Sequence, residues 1–75
     1  MHLRTYLNGM TLNEQGEFAL RCDSSAKYFR KAISIGQLFS PILCVAIEVE
    51  SQGNVTRREL RPGDWHKIWP ELVIK

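Results

Sequence analysis

ILCVAIEVE, residues 42–50, is the strongest strand signal in the chain. At a period of two, Leu43, Val45, Ile47 and Val49 line one unbroken apolar face. The opposite face opens with Ile42, Cys44 and Ala46 and turns acidic at Glu48 and Glu50. The first half therefore needs cover on both sides, which predicts a central strand. Left bare, such a segment invites aggregation.

The neighbouring segments read in the same way. VTRREL, 55–60, returns after the turn at Ser51–Asn54, and its charges on both faces suit an edge strand. HLRTYL, 2–7, is a further strand candidate, followed by Asn8-Gly9, a strong hairpin signal. EFALRC, 17–22, alternates, with Phe18, Leu20 and Cys22 on one side. Residues 71–75, ELVIK, read as a last short strand or a frayed tail.

One segment breaks the period of two. In SSAKYFRKAISIG, 24–36, Ala26, Phe29, Ala32 and Ile33 recur at helical spacing. Lys27, Arg30, Lys31 and Ser34 fall on the opposite arc. Ser24 and Ser25 can cap the start, and Gly36 can take the left-handed stop. This predicts an amphipathic helix over 25–35. A shorter helical turn is expected at WHKIW, 65–69, closed by Pro70. The predicted architecture is α+β: an antiparallel sheet of about four strands with the amphipathic helix packed on one face. Its expected core includes Leu20, Phe29, Ile33, Leu43, Val45 and Ile47.

Seventy-five residues make a single domain, 1–75, which buries only about 60% of its unfolded surface. The formal charge of +2 does not by itself mark a nucleic-acid protein. Cys22 and Cys44 sit among apolar neighbours and read as buried free thiols. No apolar run reaches the roughly 20 residues of a membrane helix, and the amino terminus does not read as a signal peptide. A cytoplasmic location is the default expectation.

Chemistry-bearing patterns are sparse. His2 and His66 stand alone, and neither they nor the cysteines show a paired metal-ligand spacing. No nucleophile stands at a motif spacing from His66, and the five glycines form no phosphate loop. The expectation is a non-enzymatic protein with no cofactor, no metal and no catalytic residue. RRELRPGDWHKIW, 57–69, gathers three arginines and two tryptophans, the residue types that dominate binding hot spots. Arg57, Arg58, Arg61, Trp65 and Trp69 are thus the candidate surface for a protein partner, another copy of the chain included. The alternative partner is nucleic acid, held by Lys27, Arg30 and Lys31 within one turn of each other.

Overall fold

A computed structural model describes residues 1–73 of the chain. It is all-helical: α1 (Leu3–Asn8), α2 (Leu12–Arg21), α3 (Ala26–Ile35), α4 (Pro41–Glu50), α5 (Arg57–Leu60) and α6 (Trp65–Ile68), then a 3-10 turn at Pro70–Leu72. No strand forms among the described residues. The expected α+β architecture and antiparallel sheet are therefore corrected. Segments 2–7, 17–22, 42–50 and 55–60 lie within or across helices instead. Of the expected strand or tail at 71–75, Glu71 and Leu72 belong to the 3-10 turn, while Ile74 and Lys75 lie outside the described residues.

The physical reason lies at the helix starts. Thr11 accepts a hydrogen bond from the Glu14 amide (3.1 Å), and the Glu14 carboxylate accepts from the Thr11 amide (2.8 Å). This reciprocal capping box satisfies two otherwise orphaned donors and commits Leu12 onward to helix. Thr56 and Glu59 repeat the device at α5. At α4 the extended Ser40 caps Leu43 and Pro41 takes the first turn, where its missing N–H costs nothing. An extended residue before proline is thus where this helix begins.

The helix ends are as well defined. After α2, Asp23 turns left-handed (φ 61°), the Asp23 amide donates to the Leu20 carbonyl, and the Ser24 amide donates to the Ala19 carbonyl. That pair of bonds is a Schellman motif, which uses up carbonyls the helix leaves open. Gly36 (φ 71°) ends α3 in the same way, with the Gln37 amide donating to Ala32. Aspartate tolerates the left-handed position better than most side chains, though less easily than glycine.

The core is aromatic at its centre. Phe18 and Phe29 are fully buried, their ring centroids 6.2 Å apart, and Phe39 meets Phe29 edge-on at 5.5 Å. Leu3, Leu7, Ala19, Ala32, Cys44, Ile47 and Val55 pack around them. Of the expected core, Phe29 and Ile47 are buried, and Ile33 and Leu43 are half-buried. Leu20 is 74% exposed and Val45 is 36% exposed. The helical period of 3.6 turns these two outward, whereas a period of two had placed them inside.

Cys22 and Cys44 are buried free thiols. Burial pushes both thiols up to about 11, with the Glu50 carboxylate adding to the effect at Cys22. At pH 8 their thiolate fraction is then about one in a thousand, whereas an unfolded cysteine is partly ionised. Native protein should therefore react with a disulfide reagent about a hundredfold more slowly than protein unfolded in guanidinium. Timing thiol release in both states checks this. Two fast thiols in the native state would contradict the packing.

Candidate nucleic-acid interface

α2 and α3 pack against each other across the short left-handed turn at Cys22–Ser25. Ser25 is extended, and its hydroxyl accepts from the Tyr28 amide at 3.1 Å, which fixes the first turn of α3. Phe29 and Ala32 face inward. Lys27, Arg30, Lys31 and Ser34 are exposed along the outward arc. The sequence places α3 correctly to within a residue. It packs on helices, however, rather than on a sheet.

No acidic residue occurs between Asp23 and Glu48. The outward side of α3 is cationic, and Lys27, Arg30 and Lys31 form no ion pair among the described residues. Arg30 is held in place: its Nη1 donates to Gln15 Oε1 at 3.0 Å. Gln15 is itself buried in α2, and its amide nitrogen donates to the Leu7 carbonyl at 2.9 Å. One buried side chain thus ties the end of α1 to the guanidinium on α3. A buried amide with its groups satisfied fixes geometry, because losing a partner would leave an unpaired polar atom in the core.

Arg4, on α1, lies across a shallow cleft of about 420 Å³ from Arg30, with Asn8 and Ser34 also on its walls. Arg4 has no carboxylate partner among the described residues. The cationic surface therefore extends beyond α3 onto α1. Sequence reasoning missed both Arg4 and Gln15. The signal was Gln15 at helical spacing with Phe18, Ala19 and Cys22. It becomes visible only when residues 12–21 are read as a helix.

The five residues expected to meet a protein partner lie together near the carboxyl end. Arg57 pairs with Glu48 on α4, and its guanidinium lies 5.2 Å from the Trp69 ring centroid. Arg58 stacks over Trp65 at 4.4 Å. Arg61 grips Asp64 with two bonds, 3.1 and 3.0 Å, and also donates to the Phe39 carbonyl. That bidentate contact holds the Asp64 carboxyl below its usual range and raises the guanidinium. Trp69 is buried and Trp65 half-buried. These groups clamp α5 and α6 onto α4 and the Phe39 segment; Arg58 is the exposed member.

His2 and His66 are both exposed, and His66 meets the edge of Trp65 at 5.7 Å. Among the described residues no three His, Cys, Asp or Glu side chains gather as metal ligands. No helix among them is long and apolar enough to cross a membrane. The chain matches no protein-family model, and a search of curated proteins finds no relative.

Proposed function

We propose that the protein binds double-stranded DNA, with α2, the Cys22–Ser25 turn and α3 acting as a helix-turn-helix and α3 as the helix that enters the major groove. The observation that carries this reading is the joining of two features in one unit. A short, hydrogen-bonded turn links two packed helices, and the second of them presents Lys27, Arg30, Lys31 and Ser34 along its outward arc, with Ile35 exposed at the edge. In such motifs the second helix lies in the groove and its exposed residues reach the base edges. Arg30 and Ser34 are the readers, and Lys27 and Lys31 hold phosphates. Arg30 suits guanine, whose O6 and N7 match a guanidinium fork. Arg4 sits where it can hold a flanking phosphate.

Duplex is favoured over single strand. Single-strand binders interleave aromatic rings with their basic residues. Here Tyr28 is the one aromatic near the cationic arc, and its ring packs on Phe39 at 5.8 Å. The cytoplasmic location expected from the sequence remains part of this proposal. A second reading, contact with another protein, draws support from a different surface: the outward side of α4, where Ile42, Val45 and Val49 are exposed.

Fluorescence anisotropy with a labelled duplex tests the DNA reading. Three to four phosphate contacts predict affinity falling about 40- to 150-fold between 50 and 200 mM salt. Selection from a random duplex library should then enrich a defined site. Failure to bind any duplex at 50 mM salt, or binding indifferent to salt, would overturn the proposal.

A further inference from the structure

α4 is apolar nearly all the way round. Cys44 and Ile47 face the core, while Ile42 is 85%, Val45 36% and Val49 64% exposed on the other side. A helix that is hydrophobic on every side is ordinarily buried on every side. The charges that could have broken this stripe are directed elsewhere. Glu48 pairs with Arg57, and Glu50 pairs with Arg21 at 3.2 Å, both within the chain. We infer that this side of α4 packs against the same side of α4 in a second copy, antiparallel, across a two-fold axis that passes between Val45 and Ala46.

The spacing of the stripe supports that occupant. A two-fold contact must be self-complementary, so that residue i meets j and j meets i. Centred between 45 and 46, the pairing sets Ile42 against Val49 of the other copy and Val45 against Ala46. Each contact joins a larger side chain to a smaller one, as interdigitating helices require. A shallow groove beside the amino half of α4, lined by Ile42, Leu43 and Ala46 with Cys22, Asp23, Ser24 and Ser40 on its far wall, lies where the opposing Val49 would enter. The electrostatics agree. Antiparallel helices bring the negative carboxyl end of one α4 beside the positive amino end of the other. A formal charge of +2 sets little repulsion between copies.

One ten-residue helix offers less than the roughly 800 Å² per partner of a stable complex. The dimer is therefore expected to dissociate at about micromolar concentration or above. This inference does not rest on DNA binding and is tested without DNA.

Sedimentation equilibrium of the full chain, from about 5 μM to 1 mM, reads it directly. The mass should rise from 8.7 kDa toward twice that value. Val45→Glu should weaken association about a hundredfold while circular dichroism keeps its helical signal. Should Val45→Glu fail to fold, Val45→Cys decides. Mild oxidation should link it into a covalent dimer, while Leu12→Cys, 76% exposed on α2, should stay monomeric. The native thiols are buried and do not compete. A wild-type mass fixed at the monomer throughout, a dimer that survives Val45→Glu, or equal cross-linking at residues 12 and 45 would each overturn the inference.

Discussion

Replacing Phe29 with alanine should destabilise the protein by about 3–5 kcal/mol. Phe29 is fully buried and touches Phe18, Phe39 and Tyr28 at once. Its removal leaves a cavity where α2, α3 and the α3–α4 connection meet. A 75-residue domain holds on the order of 4–11 kcal/mol in all, so the substitution removes much of its stability. Thermal melts followed by circular dichroism should show a midpoint lower by about 15–40 °C. Leu20→Ala is the paired control. Leu20 is 74% exposed, so its truncation should stay within about 0.5 kcal/mol. A sheet with Leu20 inside would make the two substitutions comparably damaging. Equal losses would therefore count against the helical packing.

That control marks where sequence reading and structure part. Residues 17–22 alternate well enough to pass for a strand, and 42–50 is apolar on two faces, which suits a buried strand as well as a helix. Periodicity cannot separate the two in short runs. End chemistry can. Thr11 with Glu14, Thr56 with Glu59, and Ser40 with Pro41 are helix-start patterns that stand in plain sequence. Each satisfies orphan amides that a strand would not have. α3 was legible because its split between apolar and basic residues is wide and its caps, Ser25 and Gly36, are unambiguous. Its cationic arc was legible for the same reason. Gln15 and Arg4 were not, because their roles depend on α1 and α2 being helices that bring them to Arg30. Arg57 and Arg61 read as residues of a partner surface. Trp69 beside Arg57 and the Phe39 carbonyl on Arg61 are contacts that only tertiary structure supplies.

Reversing the charge at Lys27, Arg30 and Lys31 together, to glutamate, should remove duplex binding. Each lost contact to a base or phosphate is worth roughly 1–3 kcal/mol, so the three predict at least a hundredfold loss before repulsion is counted. The fold should lose about 1–3 kcal/mol, because Arg30 is the donor to the buried Gln15 Oε1, and should otherwise keep its helices. All three side chains are exposed, and glutamate is as good a helix former as lysine or arginine. Glu at position 27 lies in the first turn of α3, where a negative charge is favourable. Unchanged helical signal with lost anisotropy is the expected pair of results. Single substitutions then separate reading from holding. Lys31→Ala should weaken all duplexes alike and lower the salt slope by about one. Arg30→Lys keeps the charge but loses the fork that Gln15 holds in place. It should leave the salt slope intact while flattening the preference among selected and scrambled duplexes. A triple variant that binds duplex as tightly as the native chain would move the DNA surface off α3 altogether.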